Sequence, residues 1–138
     1  MERGYIKITE EEIDKPVVEV KIVNGTVWMF KHELARLFDV YLQTVGNNFR
    51  SIFKTGLLRE EEVTMELRLK NERGNDIYIT YYNLVAIIFL SYRIDSRYAK
   101  AFREWVMNAL CEYNLMEKKP QEMLIVFSQG KSQSYFCN

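Results

Sequence analysis

Gln43, Thr44, Asn47, Asn48 and Arg50 fall within one short stretch of the chain. Residues three or four apart share a face of a helix, so this spacing groups five polar side chains on one surface. Gln and Asn can form paired hydrogen bonds to adenine, and Arg can do so to guanine. Lys31 and Lys54 bracket the stretch and, with Arg50, suit the phosphates on either side of a groove. The chemistry implied is recognition of double-stranded DNA, not bond breaking.

Such a face needs a scaffold that holds one helix clear of the rest. Leu34, Ala35, Leu37 and Phe38 form the apolar side of a first helix that stops at Asp39-Val40. Leu42, Val45, Phe49, Ile52 and Phe53 repeat at helical spacing in a second, which Thr55-Gly56 ends. Two helices that cross closely need a small residue in the first, inward apolar residues in the second and a tight bend between them. Ala35 is the small residue, Asp39-Val40-Tyr41 the bend, and Val45 and Phe49 the inward pair. Lys31 to Phe53 thus reads as a helix-turn-helix. Three residues depart from the usual pattern. Asp39 stands where glycine is common, Tyr41 where a small capping residue is usual, and Gly46 costs the second helix about 1 kcal/mol relative to Ala.

Strands are expected on both sides. Val18, Val20 and Ile22 alternate with Glu19, Lys21 and Val23, and Asn24-Gly25 then precedes Thr26 to Phe30. Asn-Gly between two β-rich runs predicts a hairpin. A second hairpin is expected from Val63 to Leu69 and Ile77 to Tyr81 around a polar turn at Asn71 to Asp76. Placed after the helix pair it reads as a wing, with Lys70 and Arg73 at its tip within reach of DNA. Asn83 and Ser96 are N-cap candidates for two further helices, the first apolar on most sides. The fold expected is α+β: an N-terminal β-hairpin, a helix-turn-helix, a wing-like hairpin and two C-terminal core helices. Residues 1–116 form a winged-helix-like domain, and 117–138 form a tail beyond the break at Lys118-Lys119-Pro120.

The chain has 138 residues, with 19 basic residues balancing 19 acidic ones. Free-standing DNA binders are usually basic, so any electrostatic footprint is local. Lys31 to Arg59 carries five Lys or Arg against Glu33 and Asp39, whereas Glu60 to Asp76 carries six acids against three bases. A homodimer would double the phosphate contacts and offset the neutral total. No apolar run is long enough for a membrane span, and no signal peptide is expected. Cys111 and Cys137 do not suggest a disulfide framework, and a reduced, cytoplasmic setting follows.

Other candidates carry less. His32 is the only histidine and has no neighbouring Cys or His, so no metal site is expected. Glu60-Glu61-Glu62 reads as a solvated charge run. No glycine-rich phosphate loop, nucleophile motif or cofactor signature is present, and no catalytic residue is assigned. Tyr98, Phe102 and Trp105 form an aromatic stripe expected in the core. Arg93, Arg97, Lys100 and Arg103 are expected to face solvent, with a second phosphate-contacting side as the alternative.

Trp28, Lys31 to Val40, Val45, Phe49, Ile52-Phe53-Lys54 and Gly56-Leu57-Leu58 together resemble the RhuM-type virulence-associated proteins. Tyr81 to Leu84, Ser91 to Ile94 and Ala101 to Val106 continue the pattern, and the last block is similar to the Bro-N domain of phage antirepressor-like proteins. The resemblance covers Val17 to Asn114. It implies a phage-derived or virulence-associated role in transcription regulation through DNA binding. The alternative is a protein-interaction module that binds a regulator.

Overall fold

The computed structural model describes residues 2–117. Strands β1 (Tyr5–Glu12) and β2 (Lys15–Lys21) pair antiparallel through a turn at Ile13-Asp14, where Asp14 takes a left-handed φ of 62°. Ile6 faces Val20 and Ile8 faces Val18 across the pair. These four side chains turn toward the protein, whereas Glu11, Val17 and Glu19 turn away. Just before β1, Gly4 has φ of 67°, and a Cβ there would sit 2.3 Å from the Lys21 carbonyl oxygen, so only glycine fits.

This hairpin is N-terminal as expected but is built from different strands. Asn24-Gly25 does turn the chain, with φ of 53° and 81° and reciprocal bonds of 3.0 and 3.2 Å between Val23 and Thr26. The pairing then stops after the single bridge Val23–Thr26. The segment beyond is drawn into another sheet. There β3 (Met29–Phe30) pairs with β5 (Asp76–Tyr82), and β5 pairs in turn with β4 (Thr64–Lys70), giving the order β3-β5-β4. Met29 lies opposite Tyr82, and Thr64 opposite the same residue from the other side. Met29 is buried, so the long-range partner offers it a core position that a longer local hairpin would not.

The expected helix pair stands between β3 and β4 as α1 (Lys31–Phe38) and α2 (Leu42–Lys54), followed by the single turn α3 (Glu60–Val63). Then come α4 (Leu84–Ser91) and α5 (Arg97–Glu117). Both predicted N-caps operate. Asn83 Oδ1 accepts from the Ala86 N–H at 3.0 Å and Ser96 Oγ from the Ala99 N–H at 3.1 Å. The core is one cluster in which Leu34 and Phe38 of α1 and Val45, Phe49 and Ile52 of α2 meet Ile87 and Leu90 of α4 and Phe102 of α5. Two residues of the aromatic stripe of α5 belong to it: Phe102 is fully buried, 5.8 Å from the rings of Phe38 and Trp105, whereas Tyr98, expected in the core, is partly exposed beside Arg97. Glu117, expected to open the tail, ends α5, and Cys111, expected to be reduced, is disulfide-bonded; the Lys118-Lys119-Pro120 break, the rest of the tail and Cys137 lie outside the described residues. Among those described, no helix is long and apolar enough to cross a membrane.

Candidate nucleic-acid interface

The start of α1 is fixed from both ends of one carboxylate. Glu33 reaches back to accept from the Phe30 N–H at 3.1 Å, which satisfies a donor at the helix N-terminus. The same carboxylate takes a forked pair of bonds from Arg3, at 2.7 and 3.3 Å. That hydrogen bond holds the Arg3 guanidinium above its already high ordinary pKa, against the opposing effect of burial. Glu33 is therefore neutralised by the N-terminal segment and does not subtract from the positive charge of the helix pair.

The bend is a left-handed cap. Asp39 has φ of 55° and ψ of 54°, and the N–H groups of Asp39 and Val40 return to the carbonyls of Arg36 and Ala35 at 3.3 and 3.0 Å. Asp tolerates this region better than most residues, which explains how it replaces glycine here. Tyr41 begins α2 with its backbone only: its carbonyl accepts from Thr44 and Val45, while its ring is exposed. Ala35, Val45 and Phe49 are buried as the crossing of two helices requires.

With Val45, Phe49 and Ile52 inward, α2 presents three rows. Gln43, Asn47 and Lys54 point outward and are exposed, together with Arg50. Arg50 Nη1 donates to Asn47 Oδ1 at 3.1 Å, so these two side chains act as a linked pair with the Asn47 amide NH₂ left outward. The second row, Gly46 and Arg50, turns toward Lys31. A Cβ on Gly46 would lie 3.9 Å from Lys31 Nζ, which is ordinary contact. Lys31, Gly46, Arg50 and Glu60 rim a shallow groove of about 220 Å³ floored by Phe49, Phe53 and Tyr82. The floor is a stack, with Phe49 and Tyr82 at 4.0 Å and 5° between planes. Burial pushes the Tyr82 hydroxyl up to about 12, with the Glu60 carboxylate adding to the effect.

The third row, Thr44, Asn48 and Ser51, is half-buried. Asn48 Nδ2 donates to the Thr44 carbonyl at 2.9 Å, and Asn48 Oδ1 accepts from Arg93 Nε at 3.3 Å. Both ends of this amide are thus engaged within the protein, unlike those of Gln43. Arg93 Nη2 also donates to Ser51 Oγ at 2.9 Å. The sequence had set Arg93 among a solvent-facing set on the last helices, and 42 residues separate it from Ser51. No local pattern reveals that contact.

Lys70 and Arg73 lie elsewhere, at the exposed tip of the β4–β5 hairpin. Asn71 Oδ1 accepts from the Arg73 and Asn75 N–H groups at 2.9 Å each, and Gly74 takes φ of 78°. Among the described residues no hydrogen bond or ion pair joins either cation to α2.

The basic residues divide by what they touch. Arg3, Lys15, Arg59, Arg68 and Arg97 are in ion pairs with carboxylates. Arg103 donates to the carbonyls of Ser91 and Ile94 at the end of α4. Of the sixteen described Lys and Arg, eleven form no ion pair among the described residues: Lys31, Arg36, Arg50, Lys54 and Arg93 lie on or against the helix pair, Lys70 and Arg73 at the β4–β5 tip, and Lys7, Lys21, Lys100 and Arg103 elsewhere. No protein-family model, curated protein or solved structure matches the chain.

Proposed function

We propose that this chain is a DNA-binding regulatory module of the kind its resemblance to RhuM-type and Bro-N proteins implies, acting in the cytoplasm as a homodimer and without catalysis. The reading is carried by one observation: Arg50 and Lys54 on the exposed face of α2, and Lys31 beside its Gly46 row, form no ion pair among the described residues and stand next to the outward amides of Gln43 and Asn47, although the chain as a whole is neutral. Gln43, Asn47 and Arg50 are the base-reading residues, and Lys31 and Lys54 are phosphate contacts. In the order β3, α1, bend, α2, α3, β4, β5 a wing-like hairpin follows the reading helix, and Lys70 and Arg73 at its tip are the secondary contacts. Dimerisation supplies the second set of phosphate contacts that a neutral chain needs for useful affinity.

The test is the double variant Arg50→Ala with Asn47→Ala, measured by fluorescence anisotropy on duplex DNA over a salt series. Both side chains are exposed, so the fold is retained. The expected result is weaker binding with a shallower dependence on salt, by about 0.9 in log–log slope for the one charge removed. Unchanged affinity and slope overturn the assignment of α2.

A second reading has its own observation. Ile52, Leu57, Ile88, Phe89, Tyr92 and Arg93 line an open, mainly apolar groove of about 310 Å³, and Leu57 and Tyr92 are more than half exposed. Exposed apolar patches with polar rims mark protein contacts. Binding to a regulator protein with no salt-sensitive binding to DNA favours this reading over the first.

A further inference from the structure

Four cations lie between residues 93 and 103, and the fold uses them differently. Arg97 is neutralised by Glu10 and Asp14 of the N-terminal hairpin turn. Arg103 is directed inward to backbone carbonyls. Lys100 is exposed and borders the groove beside Asp14 and Glu104. Arg93 alone leans on α2, and both of its acceptors there, Asn48 Oδ1 and Ser51 Oγ, are neutral. We propose that Arg93 binds a backbone phosphate of duplex DNA, and that Asn48 and Ser51 are the positioning residues that preset its guanidinium.

The geometry supports this in two steps. A guanidinium carries five N–H donors in a planar fork. Asn48 and Ser51 take one from Nε and one from Nη2, leaving the rest of the fork exposed. Neutral acceptors fix the orientation of the fork while leaving its charge uncompensated, which a carboxylate at either position would not do. Pre-set geometry lowers the ordering cost that a free arginine meets on binding.

The second step concerns the two sides of the helix. A helix seated in a major groove about 12 Å wide meets a phosphate strand on each flank. On one flank of α2, Lys31 and Arg50 border the Gly46 row. The opposite flank consists of Thr44, Asn48 and Ser51, with no charge of its own. Arg93 is the residue that supplies one. It reaches that flank because the turn after α4 is held by the Arg93 N–H on the Leu90 carbonyl at 2.9 Å and by Arg103 beneath it. The inference rests on the reading of α2 as the DNA-facing helix, and it extends that interface onto the α4–α5 turn.

The experiment needs no knowledge of the target sequence, because non-specific binding is carried by phosphates. Wild type, R93A, R93K and the R50A/N47A pair are titrated against a random-sequence duplex of roughly 30 base pairs across a salt series, a length spanning several turns of DNA. Thermal melts serve as the fold control. R93A is expected to lower the log–log salt slope by about 0.9 and to weaken binding at low salt on the order of tenfold, while R93K keeps the slope. A wild-type slope in R93A, beside a reduced one in R50A/N47A, overturns the Arg93 contact and leaves the α2 reading intact. Equal loss of slope in R93A and R93K also overturns it, since the retained charge would then not matter. No salt-sensitive binding by the wild type removes both.

Discussion

The two sides of this domain use arginine in opposite ways. Around the N-terminal hairpin and the α4–α5 corner, guanidinium groups hold the fold together: Arg3 on Glu33, Arg97 on Glu10 and Asp14, Arg103 on the carbonyls of Ser91 and Ile94. Around α2, Arg50 and Arg93 touch only neutral amides and a hydroxyl. A net charge of zero therefore describes neither side. Ion pairs join distant elements at Arg3 and Arg97, whereas the two guanidinium groups beside α2 keep their charge uncompensated, as the proposed binding of a polyanion requires.

The contrast is most sharply tested at Arg103. This side chain is half-buried, and its removal leaves two carbonyls at the end of α4 without their donor, beside the fully buried Ser91. Hydrogen bonds from charged groups contribute about 1.5–3 kcal/mol, and an unsatisfied buried acceptor adds to the loss. Arg103→Ala is expected to destabilise the domain by about 2–3 kcal/mol in urea unfolding. Arg50→Ala is expected to change stability by less than about 0.5 kcal/mol. Equal losses in the two variants would erase the distinction between fold-holding and ligand-facing arginines.

The same division governs how much could be read from the sequence. The helix pair was legible because its determinants are local: Leu34, Ala35 and Phe38 share a face within one helix, Val45, Phe49 and Ile52 within the next, and Asp39 needs only its own φ. The N-caps Asn83 and Ser96 and the second hairpin were legible for the same reason. The first hairpin was placed one strand too late. Asn24-Gly25 forms the turn its chemistry predicts, but the strand after it is claimed by Tyr81 and Tyr82, more than fifty residues on. Its true partner, Tyr5–Glu12, ends in three consecutive acids that conceal its alternation. Arg3 to Glu33 and Arg93 to Ser51 were invisible because they depend on where distant elements pack. The polar outer face of α2 was thus accessible in outline, and the long-range contacts that flank it were not.

Between the two sides lies the Phe49–Tyr82 stack, which joins α2 to β5. The Tyr82 hydroxyl is pushed from its ordinary value near 10 up to about 12, chiefly by burial. The unfolded chain then loses this proton before the folded protein does. The associated stability is complete below pH 10 and falls as the pH rises toward 12. The full shift corresponds to about 2.7 kcal/mol, and partial access of water to the groove reduces the expected loss to about 1–2 kcal/mol. Urea unfolding between these pH values should show this slope in the wild type and a flatter one in Tyr82→Phe. An identical slope in the variant would place the titrating group elsewhere, such as Tyr5 on the hairpin side, whose hydroxyl donates to Glu19.

The smallest effect bears most directly on what α2 is for. Gly46 lies within a helix, where glycine is less favourable than alanine by about 0.8–1 kcal/mol. Packing gives no reason for it. A Cβ would meet nothing closer than Lys31 Nζ at 3.9 Å, and Gly46 is absent from the positive-φ glycines. Gly46→Ala should therefore raise stability by about 0.5–1 kcal/mol, seen as a higher urea midpoint at unchanged slope. On the hairpin side the outcome is the reverse, because Gly4 has both a positive φ and a carbonyl 2.3 Å from any Cβ, and Gly4→Ala must destabilise. If the groove beside Lys31 and Arg50 admits a phosphate, the stabilised Gly46→Ala protein should bind duplex DNA more weakly, since the methyl group narrows the approach. A variant that is both more stable and an equally good binder would detach Gly46 from the interface and leave Lys31 and Arg50 as its contacts on that flank.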